Sequence, residues 1–437
     1  MYYYTNCLKI PNSYMYTYTF IPEKHTPNDM SNLVKRETYL KKIRPYIGKP
    51  FIKVIMGIRR CGKSSLFAQI IDELKAAGTD ESKIILLNMD DLANAELCEA
   101  SKLYDHVVDL SAGPSTYYVF LDEIQNVKEW EKAANSLLLR SNLDIYLSGS
   151  NSKLLSSELA TFIAGRYVSV EMHPLSLREF IEFKRRYASY SGNGKDLFKD
   201  YLRRGGFPLA SISDFSMAES DKIVRDTYES IFFRDTVKRN KIRNTQKLEL
   251  FIRFMFDNIG NAFSANNISR EFAKNGTKLA VNTILQYLDH LEKAYLIRRV
   301  RRYDLRGKKL VGSEDKYYVS DVSLIYALIG FKSSMISAIE ENIVYLELLR
   351  RDYSVTIGRT INGTEVDFVA EKEGKMVYVQ VTHTIPSKET AEREFRSLES
   401  IKDNYPKYVV VAEDQWASDH NGIVQISLID FLMSETI

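Results

Sequence analysis

One short stretch, from Met56 to Ser65, constrains the fold of this chain more than any other part of the sequence. It contains the pattern G-x-x-x-x-G-K-[ST], in which the backbone N–H groups of a glycine-rich loop surround phosphate groups. The apolar segment 51–56 predicts a buried strand before the loop, and helical spacing of apolar residues across 66–74 predicts a helix after it. Strand, loop and helix in this order predict a nucleotide-binding site.

The predicted nucleotide contacts are the residues of the loop: Gly57, Ile58, Arg59, Arg60, Cys61, Gly62, Lys63, Ser64 and Ser65. The two glycines allow a tight turn, and the following helix directs its positive N-terminal end at the bound anion. Lys63 is expected to contact the β- and γ-phosphates, and the Ser64 hydroxyl to ligate Mg²⁺. ATP and Mg²⁺ are therefore the predicted cofactors. The sequence leaves open whether Arg59 and Arg60 contact nucleotide, nucleic acid or neither.

A second motif follows the apolar segment 117–121, where Asp122 and Glu123 stand side by side. We expect Asp122 to hold Mg²⁺ and Glu123 to act as the general base that activates water. An acidic pair after a strand also often caps a helix. Its spacing from Lys63, with one strand between them, favours the catalytic interpretation. Because the second carboxylate favours water as the acceptor, an ATPase is predicted rather than a kinase.

Other apolar segments at 84–88, 144–149 and 167–171 alternate with helical patterns and predict an α/β fold with a parallel sheet. In such a sheet ligands bind at the carboxyl ends of the strands. Ser150 and Asn151 follow the fourth strand, where they would orient the attacking water or cap the next helix. Arg166 precedes the fifth strand. It is either a surface arginine or an arginine finger, acting within one subunit or across an oligomer interface.

Composition and targeting signals exclude several other classes of protein. The net charge of +3 gives no overall preference for nucleic acid or membranes. Three cysteines and six histidines lack the spacing of metal sites. No apolar run approaches the ~18 residues of a membrane span, so a cytoplasmic location is expected. The aromatic segment 1–29 lacks the features of a signal peptide and is interpreted as an extension or a mis-called start before Met30.

Taken together, the motifs resemble those of one family, the prokaryotic AAA-type ATPases that carry a C-terminal domain of unknown function. The segments that carry the resemblance are Gly57–Ser64, Phe120–Gln125, Leu147–Asn151, Gly165–Arg166, His173–Ser176 and Gly205–Pro208. The resemblance implies an AAA-like core at 30–173 and a helical lid and connector at 174–245. It further implies a winged-helix-like domain at 246–332 and a restriction-endonuclease-like domain at 333–437.

Within the winged-helix-like segment, three helical patterns at 248–258, 265–272 and 281–291 precede a predicted strand at 294–302, which would pair with 317–319. In this order the third helix would enter a DNA major groove, and a basic wing would contact phosphates. The basic residues are Arg298, Arg299, Arg301, Arg302, Arg306, Lys308 and Lys309. Asp289 and Glu292 on the third helix repel DNA, so a protein partner remains the alternative.

The last domain contains Glu341, Asp367 and Gln380 in the order of a restriction-endonuclease-type metal site. Glu341 and Asp367 would be Mg²⁺ ligands. However, Gln380 stands where a glutamate is usual and Thr382 where a lysine is usual, and that lysine would stabilise the developing charge. Lys388 is a candidate substitute.

We therefore expect a Mg²⁺-dependent ATP-hydrolysing switch that acts on DNA or is regulated by it, with a last domain that binds without cutting. An ATP-controlled metal-dependent DNA nuclease and a protein-binding signalling ATPase are the alternatives.

Overall fold

The computed structural model describes residues 34–155, 165–188, 194–211, 215–305, 307, 309–360, 363–385, 388–413 and 418–436. The predicted N-terminal extension, Arg306 and Lys308 lie outside these residues. Within the described part of the chain, the strands form two sheets of five and eight strands. No helix there combines the length and the apolar composition that crossing a membrane requires.

The first sheet is entirely parallel, as its apolar segments predicted, with the strand order β2-β3-β4-β1-β5. Its strands are β1 (Ile52–Met56), β2 (Ile84–Asn88), β3 (Tyr117–Asp122), β4 (Leu143–Gly149) and β5 (Tyr167–Glu171). β4 separates the strand that leads into the glycine-rich loop from the strand that ends at Asp122. Polar residues after β4 are therefore placed between the two motifs.

Helices cover this sheet: α1 (Glu37–Ile43), α2 (Lys63–Ala76), α3 (Ala100–Leu110) and α4 (Trp130–Leu138). Short 3-10 turns connect them at Arg44–Tyr46, Glu81–Lys83, Leu92–Leu97, Ile124–Asn126 and Ser152–Leu155. β1 is buried along its whole length, and its one charged residue, Lys53, forms an ion pair with the buried Asp144 of β4. Most of the segment in which a helix was expected after Asn151 lies outside the described residues.

A helical connector follows, formed by α5 (Leu177–Tyr187), α6 (Gly194–Arg204), α7 (Pro208–Ser211) and α8 (Met217–Ser230). Ser176 and Ser216 begin α5 and α8 as capping boxes with Glu179 and Glu219, so local sequence fixes both starts. α8 continues directly into a π-helix, Ile231–Lys238. Turns of the π type are frequently found at functional sites.

The next segment has the predicted order of three helices and a hairpin. The elements are α9 (Thr245–Asp257), α10 (Ala265–Lys274), α11 (Val281–Lys293), β6 (Ile297–Asp304) and β7 (Lys309–Val319). β6 and β7 are antiparallel, and Ile297 is paired with Val319. The helix α12 (Ser323–Ile329) and a 3-10 turn at Ser333–Met335 lead on to the last part of the chain.

The second sheet joins this hairpin to the C-terminal segment in the order β12-β13-β11-β10-β9-β8-β6-β7. Its other strands are β8 (Ser354–Arg359), β9 (Glu365–Lys372), β10 (Lys375–Thr382), β11 (Lys407–Val411), β12 (Ser418–His420) and β13 (Ile423–Ser427). The accompanying helices are α13 (Ile336–Arg350), α14 (Lys388–Glu399) and α15 (Leu428–Met433). Because β6 pairs in parallel with β8, the hairpin forms one edge of a shared sheet and does not project as a separate wing.

This arrangement corrects the predicted basic wing. Arg298 is largely buried and forms an ion pair with Glu171 at the end of β5. Arg302 is buried and lies 3.0 Å from Glu365, so neither guanidinium faces solvent as a phosphate contact would. The other two described arginines, Arg299 and Arg301, are exposed, and Arg299 lies 2.5 Å from Asp315. The side chain of Lys309 is not among those described.

A compact joint connects the parallel sheet to the C-terminal parts of the chain. The Leu175 N–H donates to the Gly206 carbonyl at 2.7 Å, and the Gly206 N–H donates to Asp321 at 2.7 Å. A β-carbon at Gly206 would overlap the carbonyl oxygen of Leu175. On the other side, the Arg350 guanidinium donates to the carbonyl groups of Pro174 and Leu175. Gly206 is thus required by close backbone approach.

We expect Gly206→Ala to destabilise the protein by about 1–3 kcal/mol, because the added methyl group overpacks this joint. Gly194→Ala is the matched control, since nothing lies within 4 Å of a β-carbon there. Thermal denaturation of both variants measures the difference. Equal melting temperatures for the two variants would show that the joint is not tightly packed.

Candidate nucleotide-binding site

The glycine-rich loop lies at the carboxyl end of β1 and leads directly into α2. Gly57 and Gly62 have φ angles of +150° and +105°, which side chains with a β-carbon rarely adopt. A β-carbon at Gly57 would also overlap the carbonyl oxygen of Met172, which continues from β5. These two glycines therefore allow the turn that places the N-terminus of α2 at the loop. That position is a favourable site for phosphate.

The other loop residues divide into those that face the core and those that do not. Ile58 and Cys61 are fully buried, so these two residues can meet a phosphate only through their backbone. Arg60 is exposed and has a left-handed φ of 69°. The buried Lys63 ammonium donates to the carbonyl oxygens of Gly57 and Ile58 at 3.2 and 3.3 Å.

Ser64 and Asp122 are brought together as a metal site would require. The Ser64 hydroxyl donates to Asp122 Oδ2 at 2.6 Å, and the Ser148 hydroxyl donates to Oδ1. Burial, reinforced by the charge of Glu123, raises the pKa of Asp122. One carboxylate and one hydroxyl fit Mg²⁺, which usually binds few protein ligands together with nucleotide phosphates. Among the described residues, no three His, Cys, Asp or Glu side chains are grouped so that they could hold a metal by themselves.

Glu123 has an unusual backbone conformation. Its φ of 53° is left-handed, a conformation that costs on the order of 1 kcal/mol for a residue with a β-carbon and is concentrated at functional sites. Its carboxylate accepts hydrogen bonds from Gln125 and, at 3.0 Å, from the Ser150 hydroxyl. Burial opposes ionisation, but the charges of Lys63, 3.7 Å away, and Arg59 hold the pKa of Glu123 below its usual value. Glu123 is thus charged at neutral pH.

The structure brings Ser150 to the site but does not bring Arg166 there. Ser150 is fully buried between Glu123 and the π-helix, and Asn151 is buried beside it, where its carbonyl accepts the N–H of Leu154. Arg166 is exposed, and its carbonyl accepts the N–H of Ile52 at the start of β1. The glycine-rich loop follows the C-terminal end of β1, whereas Arg166 contacts its N-terminal end. Arg166 therefore lies at the opposite edge of the sheet from the phosphate site of its own chain.

Sequence analysis missed one residue of this site, Asp235, because it lies in the connector, far from both motifs. The Arg59 guanidinium donates to both carboxylate oxygens of Asp235, at 2.9 and 3.2 Å. The same guanidinium reaches Asp90 at 3.1 Å. The identity of Asp235 gives no signal in the sequence, since acidic residues are common on helices.

A second cluster of charges lies on the eight-stranded sheet, where Glu341, Asp367 and Gln380 are brought together as predicted. Lys316 of β7, which the sequence analysis overlooked, lies 3.0 Å from Glu341 and 2.6 Å from Glu365. Burial, together with the charge of Glu341, raises the pKa of Asp367 well above its usual value. Burial opposes ionisation of Lys316, but the surrounding carboxylates outweigh it and raise the pKa of its ammonium.

This cluster does not support the predicted second metal site. The ammonium of Lys316 already forms ion pairs with Glu341 and Glu365. Gln380 accepts the N–H of Asp367 through its amide oxygen, and its amide nitrogen lies 3.3 Å from Glu394, so its polar groups are engaged within the protein. As noted above, the described residues include no group of three or more potential metal-binding acidic, His or Cys side chains. The side chain of Lys388 is not among those described.

Three family models match successive parts of the chain. Residues 49–181 match an AAA domain. This segment contains the parallel sheet, the glycine-rich loop and the Asp122–Glu123 pair, whereas Asp235 lies outside it. Residues 195–335 match a domain of unknown function (DUF8612), and residues 337–430 match another domain of unknown function (DUF4143).

Two relatives extend over most of the chain. An uncharacterized protein of Haemophilus influenzae is 35% identical over 402 residues, which cover 92% of this chain and 99% of the relative. An uncharacterized protein of Methanocaldococcus jannaschii is 31% identical over 366 residues, which cover 80% of this chain and 79% of the relative. The similarity to both proteins therefore extends well beyond the AAA domain.

Solved structures with similarity to the chain include proteins of Pyrococcus abyssi and Aquifex aeolicus. The Walker-type ATPase PABY2304 of Pyrococcus abyssi has a TM-score of 0.46 at 16% identity, covering 68% of this chain and 95% of that chain. The AMPPCP-bound DnaA of Aquifex aeolicus has a TM-score of 0.33 at 15% identity, covering 63% of this chain and 93% of that chain.

We expect Ser148→Ala to weaken Mg²⁺ binding in the nucleotide complex by about 10–100-fold, as is common when a residue that orients a metal ligand is lost. The Ser148 hydroxyl donates to Asp122 and accepts the N–H of Glu123 at 3.2 Å. A Mg²⁺ titration of nucleotide binding measures the change, with the exposed Ser136→Ala as the control. Superimposable titrations for the two variants would contradict an orienting role for Ser148.

We expect Lys316→Met to destabilise the protein by about 3–5 kcal/mol, because it leaves Glu341 and the buried Asp367 without their cation. Lys375→Met makes the same exchange at an exposed position of β10 and serves as the control. Urea denaturation with and without Mg²⁺ compares the two variants. If Lys316→Met matched the control, the cluster would not depend on this ammonium.

Proposed function

This chain carries an AAA domain and belongs to one family with its relatives of Haemophilus influenzae and Methanocaldococcus jannaschii, and on that basis we propose that it is a Mg²⁺-dependent ATP-hydrolysing switch of AAA type. The observation that carries the proposal is the position of Glu123. A charged carboxylate in a left-handed turn stands 3.7 Å from the loop lysine, beside the paired Ser64 and Asp122. This combination suits water activation next to a phosphate.

In the proposed reaction each residue has one task. The loop N–H groups and Lys63 hold the β- and γ-phosphates, and Ser64 and Asp122 would hold the metal ion. Mg²⁺, when bound, supplies positive charge that offsets the charge developing on the phosphates. Glu123 accepts a proton from the attacking water, and the Ser150 hydroxyl orients that carboxylate.

Arg166 could contribute only from a second copy of the chain, since it lies at the opposite edge of the sheet.

The switch part of the proposal rests on how closely the site is connected to the rest of the chain. Arg59 of the loop binds the connector through Asp235, and Met172 beside the loop leads directly into the joint at Leu175 and Gly206. Packed elements transmit small displacements because they have few intermediate arrangements. We infer that a change at the phosphates is passed on to the connector and the second sheet.

For the target of the switch we propose DNA, with a protein partner as the alternative. The order of three helices and a hairpin supports DNA contact, and α11 exposes Asn282 and Gln286, whose amides suit base edges. The internal ion pairs of Arg298 and Arg302 count against strong phosphate binding. We further propose that the last domain does not cleave DNA, since Gln380, which stands where a glutamate is usual, adds no charge for a metal and is already bonded to Asp367 and Glu394, while Lys316 forms ion pairs with Glu341 and Glu365.

The proposal predicts that purified protein hydrolyses ATP and that Glu123→Gln loses this activity by about 10²–10⁴-fold while still binding ATP. Glu129→Gln, a neighbouring exposed exchange, is the control. Rates are measured with and without duplex DNA at low salt. Stimulation by DNA would support DNA as the target, and indifference to DNA would favour a protein partner. Equal hydrolysis by wild type and Glu123→Gln would refute the assignment of the base.

A further inference from the structure

Asp235 is a buried carboxylate that the proposed reaction does not use, yet it lies within the catalytic network. It sits in the π-helix Ile231–Lys238 with only 1% of its side chain exposed. One of its oxygens lies 3.4 Å from the Ser150 hydroxyl, which is 3.0 Å from Glu123. The single proton of that hydroxyl can therefore be donated to either carboxylate. Asp235 thus stands one side chain away from the proposed general base.

Arg59 makes a second connection between the same two carboxylates. Its guanidinium is held by both oxygens of Asp235 and, through its remaining nitrogen, by Asp90. Arg59 is also close enough to Glu123 for its charge to help lower the pKa of that carboxyl. The side chain of Arg59 is 11% exposed, so its charge is poorly solvated and depends on nearby carboxylates.

We propose that Asp235 is a positioning residue for ATP hydrolysis, which holds the Arg59 guanidinium away from Glu123 and so leaves the base available to water. This inference rests on the function proposed above and adds to it a requirement for the connector. The carboxylate that orients the loop arginine belongs to the connector, outside the segment that matches the AAA domain. Hydrolysis therefore proceeds only when the π-helix is seated against the loop.

The electrostatics of the site explain why Asp235 is needed. A buried guanidinium that loses a bidentate partner is attracted to the carboxylates that remain around it, since leaving it unpaired is costly. Asp90 is partly exposed and already engages one nitrogen of Arg59, whereas Glu123 is buried on the other side of Ser150 from the vacated position. A general base that is bonded to a guanidinium faces away from its water. Loss of Asp235 therefore impairs Glu123 as a general base indirectly, through Arg59.

The contact between Asp235 and Arg59 depends on the conformation of the π-helix. Asp235 is also 3.4 Å from Arg239, one turn further along the same segment, and Arg234 is 3.4 Å from Asp90. Two acidic and three basic side chains thus connect the connector to the loop and to the segment after β2. A sliding or rewinding of the π-turn would separate Asp235 from Arg59 while leaving the phosphate loop intact.

The experiment compares Asp235→Asn, Arg59→Gln and the double variant, with Asp226→Asn as a control that removes an exposed charge from the same connector. We expect Asp235→Asn to lower kcat by about tenfold or more with little change in KM, since the phosphate contacts remain. The double variant is expected to recover the kcat of Arg59→Gln, because the misplaced guanidinium is gone. Asp226→Asn is expected to behave as wild type.

Two results would overturn the inference. One is a kcat for Asp235→Asn equal to that of Asp226→Asn. The other is a folded double variant that is as slow as Asp235→Asn or slower, because a merely structural role for Asp235 would not be rescued by removing Arg59. If Asp235→Asn does not fold, Asp235→Glu replaces it. Retention of the charge should keep kcat within about threefold of wild type, and a loss as large as that of Glu123→Gln would refute the proposal.

The outcomes separate this inference from the function on which it rests. Wild-type protein that hydrolyses ATP no faster than Glu123→Gln would remove the proposed function, whatever Asp235 does. Active wild type, inactive Glu123→Gln and fully active Asp235→Asn would retain the ATPase and reject only the role of the connector.

Discussion

The rest of the structure depends on the close approach of Met172 to Gly57. The Met172 N–H donates to the carbonyl of Met56 at 2.6 Å, so the extended chain of β5 continues alongside the start of the phosphate loop. Its own carbonyl then fills the space that a β-carbon at Gly57 would need. A few residues on, Leu175 pairs with Gly206 and accepts from Arg350 at the end of α13. The loop, the connector and the C-terminal part of the chain therefore all contact the same extended segment of backbone, residues 172–175.

Local chemistry explains why the sequence predicted the first sheet and its loop so closely. Apolar segments encode buried strands, glycines encode the turn, and the capping boxes at Ser176 and Ser216 encode helix starts, all within a few neighbouring residues. Ion pairs have no such local signal. Arg59 and Asp235 are 176 positions apart, and nothing in either neighbourhood specifies the other. Two residues of the predicted wing, Arg298 and Arg302, were placed wrongly for the same reason, since their partners lie on distant strands.

The cluster around Lys316 shows which contacts the order of motifs in the sequence can predict and which it cannot. The sequence predicted that Glu341, Asp367 and Gln380 lie together and offered Lys388 of the last domain as their lysine, whereas the lysine that contacts Glu341 is Lys316. Lys316 comes from the hairpin that precedes that domain, and the pairing of β6 with β8 carries it there. Burying several carboxylates without a cation would be strongly unfavourable, so the hairpin supplies what the last domain lacks.

The shared sheet also has a consequence for how the chain is made. During synthesis the hairpin of β6 and β7 emerges before β8, its parallel neighbour. Until residues 354–359 are available, the backbone of β6 has an unsatisfied edge, and unpaired strand edges promote association with other chains. Parallel pairing across so many intervening residues also forms slowly. The nascent protein therefore passes through a stage at which protection of this edge, by a chaperone or by the helices already folded, governs how much of it reaches the native state.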